Sequence, residues 1–111
     1  MKTSGYDILD QGFVYESSPD LAITTRSVVN SQDEILVSFQ HQSKTGINDF
    51  TPALSRSQDG GKTFDYIGKI WPHLEGHYSI NASISRGPDH VLYLAGSSTP
   101  IVNAGESFWC Q

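Results

Sequence analysis

Along this chain, apolar residues alternate with polar ones over short stretches, and turn-forming residues interrupt the alternation at regular intervals. A period of two sends successive side chains to opposite faces of an extended chain, so each stretch reads as a half-buried strand. Strands are expected at 8–15, 22–29, 34–40, 52–57, 64–71, 78–86, 91–96 and 107–110. Polar or Gly/Pro-containing segments separate them, as turns require. No stretch carries a convincing helical period. The expected fold class is therefore all-β, built from antiparallel sheets.

Two of these units resemble each other. Residues 25–40 read TRSVVNSQDEILVSFQ, and residues 81–96 read NASISRGPDHVLYLAG. At an offset of 56, Ser27 meets Ser83, Val28 meets Ile84, Asp33 meets Asp89, Ile35 meets Val91 and Leu36 meets Leu92. Each unit is strand, tight turn, strand. A repeat of this length with four strands per unit is the mark of a β-propeller blade.

Between the two copies stands Ser57-Gln58-Asp59-Gly60-Gly61-Lys62-Thr63-Phe64. Asp59 can accept hydrogen bonds from the backbone N–H groups that follow it, closing an Asx-type turn. Gly60 and Gly61 tolerate the positive φ angles of such a reversal. The Thr63 hydroxyl can tie back across the turn, and Phe64 starts the next strand with an apolar plug. The segment reads as a β-hairpin stitched by its own side chains.

This segment fits the pattern Ser/Thr-x-Asp-x-Gly-x-Thr-Trp/Phe and resembles the Asp box of the sialidase (neuraminidase) superfamily, also called the BNR repeat, and of Asp-box propellers at large. The resemblance implies four-stranded antiparallel blades, part of a six-bladed propeller. Ser57, Asp59, Gly61, Thr63 and Phe64 would be structural, at the periphery of the blade. Residues 1–20 would be the outer strand of a preceding blade and a crossover. Residues 21–72 would be a complete blade, and 73–111 a second blade that stops before its outer strand. The same offset places a second box at position 113, past Gln111, so the chain reads as a fragment of a larger propeller. The resemblance also favours a secreted or periplasmic protein, although no apolar stretch of a signal peptide follows Met1-Lys2-Thr3-Ser4-Gly5.

Composition narrows the partners. The net charge of −5 argues against nucleic acid, which favours a basic face. It leaves an anionic sugar open, because one or two arginines can hold a carboxylate in an acidic protein. The single cysteine, Cys110, excludes an intrachain disulfide. No apolar run approaches membrane-spanning length.

Propeller topology sorts the loops. The a–b and c–d turns lie on one face of a blade, and the b–c loop and d–a crossover on the other. The box is a c–d turn, so substrate-contacting residues are expected on the segments 17–21, 41–51, 71–78 and 97–106. By resemblance, Arg26 on the inner strand would pair with the carboxylate of a sialic acid, in the planar fork geometry of guanidinium. Asp49 on the b–c loop would act as general acid and base at the glycosidic oxygen, with Asn48 the alternative occupant of that position. Tyr78 is a candidate sugar-stacking ring. The family's tyrosine nucleophile and its glutamate partner come from later blades. Two departures stand against the enzyme. Arg26 is followed by Ser27-Val28 instead of Ile-Pro, and no second arginine opens the b–c loop.

The leading expectation is an exo-sialidase or related glycoside hydrolase acting on terminal acidic sugars. The alternative is a non-catalytic platform of the same fold that binds glycan or protein. Neither needs a cofactor. His73-Leu74-Glu75-Gly76-His77 could bring two imidazoles and a carboxylate to one side of an extended segment, but it reads better as a polar crossover loop, so no metal is expected. His41 and His90 show no partner in the sequence and read as surface residues.

Overall fold

The computed structural model of the chain describes residues 2–3, 6–7, 11–16 and 20–101. These are all-β, apart from one 3-10 turn at Pro72–Leu74. Strands β1 (Lys2–Thr3) and β2 (Tyr6–Asp7) form a small antiparallel pair. Strands β3 (Leu21–Val29), β4 (Ile35–Gln42), β5 (Thr51–Ser57) and β6 (Asp65–Lys69) form a four-stranded antiparallel meander in chain order. Strands β7 (Tyr78–Arg86) and β8 (Leu92–Pro100) form a two-stranded antiparallel sheet.

The alternating pattern located the strands from β3 to β8 to within a few residues, with two differences among the described residues. Residues 11–16 belong to no strand, contrary to the expectation for 8–15, of which 8–10 lie outside the described residues. The expected strand at 107–110 also lies outside them. Strand β6 stops at Lys69 because Trp71 leads into Pro72, whose fixed φ opens the 3-10 turn.

Strand β4 is the centre of the molecule. It is paired on both edges, with β3 and β5, and every residue from Val37 to Gln42 is buried. Its two faces differ in chemistry because side chains alternate. Val37, Phe39 and His41 form one face, against which the Tyr15 ring packs at 5.1 Å from Phe39 and 4.9 Å from His41. Ser38, Gln40 and Gln42 form the other.

That polar face meets β7. The Ala82 N–H donates to Gln40 Oε1 at 3.1 Å, the Ile84 N–H to Ser38 Oγ at 3.1 Å, and the Ile80 N–H to the Phe50 carbonyl at 2.9 Å. Odd-numbered residues of β7 face β8 in the ladder, so these even-numbered N–H groups would otherwise be bare on a buried edge. Two β4 side chains and the Phe50 carbonyl therefore take the place of a paired strand along this edge of β7 among the described residues. Ile80, Ala82 and Ile84 are buried at the same junction.

The internal repeat is visible in the backbone, at an offset one residue larger than the side chains suggest. The first turn carries Asn30 N–H to Glu34 O at 3.0 Å and Asp33 N–H to Asn30 O at 3.2 Å. The second carries Gly87 N–H to Val91 O at 2.9 Å and His90 N–H to Gly87 O at 3.2 Å. Asp33 and His90 take the same left-handed conformation, with φ of 61° and 65°. The matching pairs are Val29↔Ile35 and Arg86↔Leu92, an offset of 57 residues. A one-residue slip exchanges the faces of a strand. The two hairpins thus share a backbone, and at its offset Ile35-Leu36-Val37 still meets Leu92-Tyr93-Leu94, while in the first strands Val28 and Val29 meet Ser85 and Arg86.

Candidate functional site

The two ends of the four-stranded sheet carry different loops. At one end the 30–34 turn and the box hairpin meet, joined by Gln58 Nε2 donating to Glu34 Oε2 at 2.7 Å. At the other end lie the 43–50 loop and the 70–77 crossover, so Asp49 and Asp59 stand at opposite ends of the sheet.

The box residues make the expected stitches. Asp59 Oδ1 accepts from the Thr63 N–H at 2.9 Å and from Ser57 Oγ at 2.8 Å, and Oδ2 accepts from Thr63 Oγ1 at 2.5 Å. Ser57 Oγ in turn accepts from the Gly61 N–H at 2.8 Å. Gly60 and Gly61 have φ of 77° and 93°, the left-handed region that glycine enters without strain. The Thr63 hydroxyl, then the Thr63 N–H, then Ser57 hold the Asp59 carboxyl down to about 2. Phe64 is half-buried and lies just before β6 instead of within it.

At the opposite end, Ile47, Asn48, Asp49, Gly76, Thr99, Pro100 and Ile101 line an open cleft of about 540 Å³. Asn48 and Asp49, the two candidates for one position, are separated by their partners. Asn48 Oδ1 accepts from Ser79 Oγ at 2.6 Å, and the same Ser79 Oγ accepts from the Phe50 N–H at 2.9 Å. Asn48 thereby fastens the loop to β7. Asp49 Oδ1 accepts from the Ser43 N–H at 3.2 Å, closing the loop on itself. Asp49 is thus the carboxylate of the cleft.

Arg26 is not brought to this cleft. It is exposed on β3 opposite Ser38, four positions along the ladder from Leu21↔Gln42, where the loop begins. That separation is about 13 Å along the strand. A β-bulge between Ile23 and Arg26 leaves Thr24 at a φ of 58°, with its carbonyl accepting from Gln40 Nε2 at 3.2 Å. Arg26 lines a second cleft of about 490 Å³ with Val14, Thr25, Ser27 and Val37. Tyr78 is exposed at the start of β7, opposite Pro100, and so borders the Asp49 cleft through its strand partner.

The crossover histidines do not gather with Glu75 into one cluster among the described residues. The 3-10 turn breaks the extended geometry in which His73, Glu75 and His77 would share a side, and Glu75 instead pairs with Lys69 at 2.7 Å. Among the described residues no three His, Cys, Asp or Glu side chains are grouped to hold a metal ion. No helix among them is long and apolar enough to cross a membrane.

Sequence reasoning missed His41. It is buried, not on the surface, with Nε2 bonded to Tyr66 Oη at 2.8 Å and Nδ1 3.5 Å from Asp20 Oδ2. The signal was present, because His41 continues the alternation of Val37 and Phe39. His90 is exposed as expected, beside Arg86.

No protein-family model, curated protein or solved structure matches this chain.

Proposed function

We propose that this chain supplies two neighbouring blades of a sialidase-like Asp-box β-propeller, and that the face opposite the box binds glycans. The observation that carries this reading is the placement of Asp49 in an open cleft between the 43–50 loop and the crossover, at the far end of the sheet from the box. Support for the blade assignment comes from the repeated hairpin and from the β3–β6 meander in chain order. Two blades do not close a ring, so the reading requires further blades beside these.

In the hydrolase form of this proposal, Asp49 donates a proton to the glycosidic oxygen of a terminal sialic acid. In the second form the face only binds, as a glycan or protein platform. The separation of Arg26 from Asp49 favours the second form. A sialic acid carries its carboxylate and its glycosidic oxygen on one carbon, whereas these two residues line different clefts.

The test is a titration of the isotopically labelled chain with sialyl-lactose, followed by amide NMR. The expected result is a set of shift changes confined to residues 47–49, 76 and 99–101. Unchanged spectra at these residues both in the isolated chain and in an assembled propeller containing these blades, with the sugar in the millimolar range that weak sites require, would remove the glycan reading (about 1 mM corresponds to about −4 kcal/mol).

A further inference from the structure

The His41 cluster lies outside the glycan reading and stands independently of it. Four parts of the fold meet at this ring. Residues 11–16 contribute Tyr15, whose ring contacts His41 edge-on at 4.9 Å and Phe39 at 5.1 Å. Strand β6 contributes the Tyr66 hydroxyl at 2.8 Å, and Tyr66 also packs on Tyr15 at 4.8 Å. Asp20, just before β3, places Oδ2 3.5 Å from Nδ1. On β4 itself Phe39 is fully buried beside the ring. Lys69 on β6 and Glu75 in the crossover complete the charged groups that act on it.

His41 Nδ1 is buried and has no hydrogen-bond partner of good geometry. The carboxylate facing Nδ1 favours the tautomer with its hydrogen there, which leaves Nε2 to accept from the Tyr66 hydroxyl. A proton arriving from solvent then has one place to go, Nε2. The Tyr66 hydroxyl must then turn from donor to acceptor, and a positive charge is set inside a ring cluster. Burial is the largest cause that resists this, followed by the Lys69 charge, and together they outweigh Asp20 and Glu75 and hold the imidazole below its ordinary value of 6.5.

We propose that His41 is a proton-operated latch: neutral, it holds residues 11–16 against the face of the four-stranded sheet, and protonated it lets them go. Residues 11–16 belong to no strand, so they leave without breaking a sheet ladder, and they are the element whose departure hydrates the imidazolium. The sign follows from linkage. An imidazole that binds protons more weakly in the closed arrangement supports that arrangement above 6.5 and ceases to as pH falls through that value. Each tenfold difference in proton affinity between closed and released arrangements multiplies the released-to-closed ratio tenfold at low pH.

The test follows the histidine and tyrosine ring resonances of the full chain from about pH 8 to about pH 5, the range of a histidine switch. The His41 signal is the one missing from the His41→Phe spectrum. The expected result is a His41 midpoint below 6.5, with loss of Tyr15–Phe39 ring contacts over the same range while the amides of β4 and β5 hold. His41→Phe, which keeps a ring at this place but cannot take a proton, should keep Tyr15 docked throughout. Asp20→Asn removes a charge that favours the imidazolium in the closed state, so release should run further at a given pH. Tyr15 contacts that persist to the end of the titration would overturn the proposal, as would release with the same midpoint in His41→Phe. If His41→Phe does not fold, wild-type His41 and Tyr15 curves that fail to coincide overturn it alone.

Discussion

Thr63 holds Asp59 at both carboxylate oxygens, through its N–H at 2.9 Å and its hydroxyl at 2.5 Å. One residue thus supplies the two main reasons that the Asp59 carboxyl sits at about 2 instead of 3.8. The carboxylate is a fastener for the turn, and its charge is the form that fastens.

A pH-dependent prediction follows for Asp59→Ala. A depressed carboxyl contributes stability above its unfolded value, lost as pH falls through the folded one. The variant should therefore unfold at lower urea concentration than wild type at neutral pH. That gap should close between 3.8 and about 2, where the wild-type carboxylate takes its proton. Urea midpoints of both proteins across this range give the measurement, and a gap that persists unchanged into the acid would show that the charge plays no part.

The junction of the two sheets makes a second prediction. Gln40 is fully buried and serves both sides, accepting from Ala82 N–H and donating to the Thr24 carbonyl. Gln40→Leu keeps comparable volume and strips both bonds, leaving the buried Ala82 N–H unpaired at a cost of about 1–3 kcal/mol, while the carbonyl of the exposed Thr24 can turn to water. Ser38→Ala orphans the Ile84 N–H alone and should cost less. Hydrogen exchange should quicken at Ala82 and Ile84 first. Uniform acceleration across β3–β6 instead would mean that the side chains hold the first sheet and not the junction.

How much of this was legible in the sequence depends on the reach of each contact. The box hairpin was legible because Ser57, Asp59, Gly61 and Thr63 bond within four residues of one another. The central strand is legible as a strand, but nothing local in the polar alternation Ser38, Gln40, Gln42 marks that face as buried. It is buried because β7, some forty residues on, brings N–H groups that need acceptors. His41 was misread for the same reason: its partners Tyr66 and Asp20 come from β6 and from the approach to β3. The repeat was found, yet its backbone offset of 57 could not be separated from the side-chain offset of 56 without the turn hydrogen bonds. Arg26 lies on a strand and Asp49 in a loop, and only the register shows the distance between them.

Gly96 yields a third prediction. It pairs with Ala82, and a Cβ there would lie 1.9 Å from the Asn81 carbonyl oxygen and 2.6 Å from the Ala82 Cα. Both are backbone atoms, which cannot swing aside as a flexible side chain would. Gly96→Ala should force β7 and β8 apart and cost about 1–3 kcal/mol, the scale of overpacking. Amide protection should fall in β7 and β8 while β3–β6 remain closed. A variant as stable as wild type would mean that the two strands have room to separate without loss.

The hydrolase and platform forms of the proposed function part at Asp49. If Asp49 is the general acid, Asp49→Asn should slow turnover of natural sialosides by about 10²–10⁴. A fluorogenic sialoside with a good leaving group should suffer much less, since it departs without protonation. The substitution also weakens the turn, because Asp49 accepts from the Ser43 N–H, but an asparagine oxygen can still accept there. A selective loss on the natural substrate therefore separates acid catalysis from loop collapse, which would slow both substrates alike. Arg26→Lys adds the second arm. The guanidinium fork lost in this change matters only if Arg26 holds the sugar carboxylate. Because Arg26 lines a different cleft, the structure predicts sialyl-lactose binding within about twofold of wild type. Tenfold weaker binding in Arg26→Lys would instead mean that the two clefts act on one sugar and would restore the hydrolase form. The measurement belongs on an assembled propeller containing these blades, with the isolated chain as control. Unmeasurable turnover there, with sialyl-lactose shifts intact at residues 47–49, would leave the glycan platform standing.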